Sequence, residues 1–126
     1  MTIPTLTTLV SGGSAVQREI DIMRAIALLP KTATVAFILE GLASAESPLY
    51  KPAAKPEWRL NRIAPGCPCC IGNLTMRVTL NRLLRPPPQY LFISLASTAH
   101  LAQVRAFLLA DPYDKLLCLQ PDLVAL

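Results

Sequence analysis

Three short runs of apolar and β-branched residues constrain the fold of this chain more than any other feature. They are residues 5–10 (TLTTLV), 34–39 (TVAFIL) and 90–95 (YLFISL). Runs like these are typical of strands buried on both faces, as in parallel sheets that helices cover on both sides. Segments 58–63 and 115–119 predict two further strands, so we expect a sheet of five strands.

The first helix has clear start and stop signals. A turn at Ser11-Gly12-Gly13 precedes Ser14 and Gln17, which have the spacing of a capping box. Pro30 ends the predicted helix. The residues with helical spacing that we expect on its core face are Val16, Ile20, Met23 and Ala27.

Two more helices are expected further along the chain. One has Asn73 as its N-cap and runs to about Arg85, where three prolines follow. The other is capped by Ser97 or Thr98 and ends at Asp111. The residues expected on the inner faces are Leu74, Val78, Leu80 or Asn81, and Leu84 in the first of these helices, and Leu101, Val104 and Leu108 in the second.

The order of these elements predicts one α/β domain over residues 1–126. Strands that alternate with helices form a three-layer α/β/α fold with a mostly parallel sheet, here of five strands. Segment 42–57 has no apolar period, so we expect a long, mobile loop there. The Gly12-Gly13 turn, Glu40, the cysteine segment and Ser97 each follow a predicted strand. They therefore share the carboxyl edge of the sheet, where such folds bind ligands.

Composition indicates a cytoplasmic globular protein. Hydrophobic residues make up 52% of the chain and charged residues 16%, which excludes a disordered chain. No apolar run approaches the roughly 18 to 20 residues of a membrane span. The start, MTIPTLTTLV, lacks the pattern of an export signal. The four cysteines are therefore not expected to form a disulfide framework, and Cys118 in an apolar run is expected to be buried.

Segment 51–85 is basic, with seven Lys and Arg residues against Glu57 alone. One interpretation is a solvated face that keeps an apolar protein soluble. The other is a surface for phosphate, nucleic acid or an acidic partner protein. Aromatic residues are few and do not alternate with the basic ones, so nucleic acid is the weakest of these candidates.

Three cysteines within four residues form the sharpest chemical signal. Cys67, Cys69 and Cys70 lie on a segment shaped by Gly66 and Pro68. Thiolates are preferred ligands of Zn²⁺ and Cu(I). Three thiolates leave one tetrahedral position for water, a carboxylate or a second chain, which suits metal transfer. The alternatives are plain reduced thiols, a strained disulfide, or a redox pair, although C-x-x-C is the usual redox spacing.

The first turn occupies the place of a phosphate loop but departs from its pattern, G-x-x-x-x-G-K-[ST]. Gly12 and Gly13 are present, whereas Gln17 replaces the second glycine, Arg18 the lysine and Glu19 the hydroxyl residue. Glu19 would place negative charge where phosphate and Mg²⁺ meet. We therefore expect at most a weak anion site here, with Gly12, Gly13 and Arg18 as its residues.

Together these motifs resemble the CobW-type metal-chaperone GTPases, relatives of the nickel-enzyme maturation GTPases. Gly66-Cys67-Pro68-Cys69-Cys70 is similar to the family motif G-C-x-C-C, and residues 35–41 (VAFILEG) to the strand that runs into N-E-F-G. The resemblance implies a P-loop GTPase-like fold. It also implies that Glu40, which falls on the motif's glutamate, helps to bind the metal.

Several family residues are missing. Leu39 replaces the asparagine of N-E-F-G, and the E-x-S-G stretch reads Ser94-Leu95-Ala96-Ser97, so its acidic residue is lost. The guanine-recognition motif is not found either. The resemblance therefore implies a shortened, non-catalytic relative that does not bind GTP.

The resulting hypothesis is a zinc-binding protein that delivers metal to an acceptor protein. Its ligands would be Cys67, Cys69, Cys70 and Glu40, and a homodimer that shares one ion is an alternative arrangement. Two other hypotheses are a degenerate GTPase-like interaction module whose basic segment docks an acidic partner, and a protein with residual nucleotide binding.

Overall fold

The computed structural model describes residues 3–41, 46–49, 58–64 and 71–126, with side chains from residue 74 onward in the last range. Strands and helices alternate through most of this part of the chain. In chain order the elements are β1 (Thr5–Ser11), α1 (Ala15–Ile26), β2 (Val35–Glu40), β3 (Arg59–Ile63), α2 (Ile71–Leu83), β4 (Tyr90–Ser94), a 3₁₀ turn (Thr98–His100), α3 (Leu101–Leu109), α4 (Tyr113–Leu116), β5 (Leu117–Leu119) and β6 (Leu123–Val124).

The strands form one parallel sheet in the order β3-β2-β4-β1-β5. Strand β5 pairs with the first residues of β1, Thr5 to Thr7, and β6 pairs in parallel with its last residues, Val10 and Ser11. The two short strands therefore follow each other along the same side of β1. The predicted α/β fold with a mostly parallel sheet is confirmed, with β6 as an additional short strand.

Two apolar clusters, one on each face of the sheet, make the fold three-layered. On one face, Ile22 of α1 packs with Val35, Phe37 and Leu39 of β2. On the other face, helices α2 and α3 pack against Ala36, Ile38 and the odd-numbered residues of β4. The central strands are buried on both faces, and this burial accounts for their continuous apolar sequences.

Helix α1 starts as the sequence predicts but buries a different face. The hydroxyl of Ser14 accepts a hydrogen bond from the Gln17 backbone N–H, and the Gln17 side chain accepts one from the Ser14 N–H, which completes the capping box. The buried residues, however, are Arg18, Glu19 and Ile22, whereas Ala27 is exposed. The predicted core face is therefore wrong, because two charged side chains find partners inside the protein.

Helix α2 also turns a different face inward. It begins at Ile71, two residues before the predicted N-cap Asn73. Met76, Leu80 and Leu83 are buried, whereas Leu74 is 59% exposed and Val78 is 48% exposed. Positions 76, 80 and 83 have the i, i+4, i+7 spacing of a helix face. The prediction is therefore confirmed at Leu80 and wrong at Leu74 and Val78.

Cys118 is exposed, contrary to the prediction. It lies in the outermost strand, β5, where successive side chains alternate between the two faces. Leu117 takes the buried position and Cys118 points the other way. Of the predicted loop 42–57, residues 46–49 are described, and Ser47 and Leu49 in it are buried.

Within the described ranges, no helix combines the length and the apolar character that crossing a bilayer demands.

Phe37 is the side chain whose truncation should cost most stability. Its ring lies 5.5 Å from that of Trp58 and 6.1 Å from that of Phe92, between centroids, and it is fully buried. We expect Phe37→Ala to lower the free energy of unfolding by about 3–5 kcal/mol, measured by urea denaturation. Leu28→Ala, at a side chain that is 88% exposed, should change it by less than about 0.5 kcal/mol. Equal effects of the two variants would contradict this core assignment.

Candidate functional site

A glycine turn joins β1 to α1 at the carboxyl edge of the sheet. Gly12 has φ of +82° and Gly13 of +55°, a backbone region that side chains disfavour. The chain's last residues cover this turn: the Ala125 N–H donates to the Ser11 carbonyl at 2.7 Å. A Cβ atom on Gly12 would lie 2.5 Å from the Ala125 carbonyl oxygen. Both the backbone angle and the close approach therefore require glycine at residue 12.

The Arg18 side chain fills the space beneath this turn. Its Nη1 donates to the carbonyl oxygens of Gly12 at 3.2 Å and of Gly13 at 3.0 Å. Its Nε donates to the Ser94 hydroxyl at 2.8 Å, where β4 ends. Arg18 is only 4% exposed. One buried guanidinium thus joins α1 to the ends of two strands.

Two carboxylates compensate the burial of this cation. Desolvation by burial lowers the pKa of Arg18 below its ordinary value, and the negative charges of Glu40 and Glu19 oppose that shift. Glu40 lies at the end of β2 and is half-buried. Its Oε1 accepts a hydrogen bond from the Ala96 backbone N–H at 3.0 Å. Glu40 is therefore oriented by the segment that follows β4.

Glu19 binds the neighbouring part of the sheet. Its carboxylate accepts two hydrogen bonds from the Arg62 guanidinium, Nη1 to Oε2 and Nη2 to Oε1, each 3.3 Å long. Oε1 also accepts from the Leu49 backbone N–H at 3.3 Å. The fork geometry and the burial make this a specific tie between α1, the strand β3 and segment 46–49.

The structure brings four of the predicted site residues to one edge: Gly12, Gly13, Arg18 and Glu40. Cys67, Cys69 and Cys70 lie outside the described residues. The residues that flank the cysteine segment are described, and the Gly41 N–H donates to the Ile63 carbonyl at 3.0 Å. The end of β2, which carries Glu40, therefore adjoins the end of β3, from which the chain continues toward the cysteines.

The chemistry of the glycine turn differs from that of a phosphate loop. A phosphate loop directs backbone N–H groups toward an anion. Here two carbonyl oxygens of the turn face inward and bind the guanidinium of Arg18. At the predicted weak anion site of Gly12, Gly13 and Arg18, the Nε and Nη1 groups of Arg18 thus already donate to protein acceptors.

Three residues of this network were not anticipated as a group: Glu19, Arg62 and Ser94. From the sequence, Glu19 was identified only as the residue that replaces the hydroxyl residue of a phosphate loop, and Arg62 only as a member of the basic segment 51–85. Consecutive opposite charges at Arg18 and Glu19 in an amphipathic helix were the available signal. Their partners, 76 and 43 residues away in the chain, carry no local pattern.

Comparison of the chain with protein-family models, with curated proteins and with solved structures gave no match in any of the three. Among the described residues, no group of three or more His, Cys, Asp and Glu side chains has an arrangement that would hold a metal ion. The functional argument therefore depends on the chemistry of the site itself.

We expect Arg18→Met to destabilise the fold by about 2–4 kcal/mol. The variant removes the donors to Gly12, Gly13 and Ser94 and the positive charge that faces Glu40, whereas Glu19 keeps its ion pair with Arg62. Arg24→Met is the matched control, because Arg24 lies on the same helix with its side chain 78% exposed. Urea unfolding that is equal for the two variants would contradict the central role of Arg18.

We also expect that GTP and ATP with Mg²⁺ leave the melting temperature unchanged at millimolar concentrations. A nucleotide that binds the native state stabilises it by mass action, by about 2.7 kcal/mol of unfolding free energy at 100 times its Kd. The melting temperature must then rise. Differential scanning fluorimetry measures this directly. A concentration-dependent rise would show that a nucleotide displaces or bypasses Arg18.

Proposed function

We propose that this protein binds a transition-metal ion, Zn²⁺ by default, and hands it to an acceptor protein. The observation that carries the proposal is the concentration of Cys67, Cys69 and Cys70 in the sequence between the end of β3 and the start of α2. The end of β3 pairs with the strand end that carries Glu40. Three thiolates and a carboxylate are a donor set that Zn²⁺ accepts.

Covalent connectivity supports the inclusion of Glu40. Glu40 pairs with Ile63 in the sheet register, and Cys67 follows Ile63 by four residues. A chain of that length spans at most about 14 Å, which limits how far Cys67 can lie from the end of β3 that pairs with Glu40. The Ala96 N–H orients Oε1 of Glu40, as hydrogen bonds commonly orient metal-ligating carboxylates.

The Arg18 side chain binds the carbonyl oxygens of the glycine turn, which supports a function that does not use nucleotides. The resemblance to CobW-type proteins carries over to the thiol cluster and Glu40, and Arg18 occupies the place where a phosphate would be bound. We propose a non-catalytic relative of that family that acts in the reducing cytoplasm, where thiolates stay available for metal.

The test is metal content and thiol titration on protein purified under reducing conditions without chelator. We expect about one Zn²⁺ per chain and three thiols protected until a chelator is added. Replacing any one of the three cysteines by Ala should lower the Zn²⁺ affinity by more than about tenfold, because even outer-shell changes cost 10- to 100-fold. Cys118→Ala is the matched control, since Cys118 lies on the distant edge strand β5 and should leave the stoichiometry unchanged.

Glu40→Gln tests the carboxylate separately. The amide oxygen still accepts from Ala96, so the fold should persist while the Zn²⁺ affinity falls. Half an ion per chain, together with a dimer in solution, would indicate a site shared by two chains. Unchanged Zn²⁺ stoichiometry in a Cys67→Ala, Cys69→Ala, Cys70→Ala triple variant would refute the proposal.

A further inference from the structure

Strand β3 is the terminal strand of the sheet within the described part of the chain, and one of its edges faces away from β2. The Ile63 carbonyl accepts from Gly41, so Ile63 and Asn61 direct their backbone groups toward β2. Backbone N–H and C=O groups alternate in direction along a strand. Leu60 and Arg62 therefore direct theirs outward, where an added strand would pair with them.

A groove of about 590 Å³ runs beside this edge, between β3 and α2. Leu74, Val78 and Arg82 of α2 line it, spaced four residues apart and therefore on one helix face. Leu74 and Val78 are the apolar side chains that the sequence placed in the core and the structure leaves 59% and 48% exposed. We call these three residues the α2 row.

The spacing of the α2 row matches an extended peptide. Residues four apart on a helix are about 6.0 Å apart along its axis. Side chains on one face of a strand, two residues apart, are separated by about 6.6–6.8 Å. Consecutive same-face side chains of a strand added at β3 would thus meet Leu74, Val78 and Arg82 in turn.

The charge of this surface selects an acidic partner. From Trp58 to Ala110 the sequence contains no Asp or Glu. Arg59 and Arg82 form no ion pair with any residue that the structure describes, and Arg77 lies over the Phe107 ring at 5.8 Å. Of these three cations Arg82 lines the groove, and it makes one end of the groove positively charged while the Leu74 end is apolar. Arg62 lines the groove as well, but Glu19 neutralises its charge.

We propose that the edge of β3 and the α2 row bind an extended, acidic segment of a partner protein by strand addition. The segment carries an acidic side chain that meets Arg82 and apolar side chains two and four residues away that meet Val78 and Leu74. Main-chain hydrogen bonds to Leu60 and Arg62 supply affinity, and the α2 row supplies specificity. Among the described residues that line the groove, none has an aromatic side chain on which nucleic-acid bases would stack, which favours a peptide.

The first experiment selects a phage-displayed library of linear dodecapeptides on the immobilised full-length protein. We expect the recovered peptides to be rich in Asp and Glu, with apolar residues at the alternating positions. A synthetic, fluorescein-labelled copy of the best one should bind about fivefold more weakly to Arg82→Glu and more than about tenfold more weakly to Val78→Asp. Arg24→Glu and Leu28→Asp, at exposed positions outside the groove, are the matched controls and should bind as the wild type does.

N-methylation of the peptide then tests strand addition directly. Methyl groups on the alternate residues that face β3 should abolish binding, whereas methyl groups on the other residues should leave it within about twofold. Zn²⁺ content is measured on Arg82→Glu as well and should be unchanged, which separates this surface from the proposed metal site. Peptides without acidic enrichment, affinity unaffected by Val78→Asp, or Arg82-dependent binding of a single-stranded RNA oligonucleotide in place of the peptides would each overturn the proposal.

Discussion

The buried guanidinium of Arg18 holds together the parts of the sheet on which the rest of the structure depends. It reaches from α1 to the glycine turn after β1 and to Ser94 at the end of β4. A charge in this position is expensive to desolvate, and Glu40 and Glu19 offset that cost. Because its Nε and Nη1 bind acceptors on two strand ends, the guanidinium fixes the position of those ends relative to α1.

This arrangement distinguishes the glycine turn from a phosphate loop in an otherwise similar α/β fold. The glycine turn keeps its positive backbone angles, but its carbonyls bind an internal cation. The last residues of the chain close over the turn through Ala125, and Arg105 of α3 forms an ion pair with Asp122 just before β6. Of the predicted metal ligands, Glu40 is the one that the described residues show at this edge.

The opposite end of the strand order has a different character. Arg62 ties β3 to Glu19 on one face of the sheet, which positions this short edge strand firmly. On the other face, α2 leaves Leu74 and Val78 exposed beside the groove that Arg82 also lines. The proposed docking surface includes β3, and the proposed cysteine ligands follow β3 in the chain. Such a combination would suit a protein that transfers an ion to an acceptor.

The sequence by itself determined the order of the elements, the parallel sheet, the capping box at Ser14 and the glycine turn. These features follow from local patterns: continuous apolar runs, cap spacing and prolines. Only the tertiary structure decided which faces of α1 and α2 are buried and what Arg18, Glu19 and Arg62 do. Arg18 binds Ser94, 76 residues away in the chain, and Glu19 binds Arg62, 43 residues away. These distant partners take the place of water around the charged side chains, so a local pattern does not predict their burial. The thiol cluster was evident from spacing alone, whereas the place of Glu40 beside Ile63 required the register of the sheet.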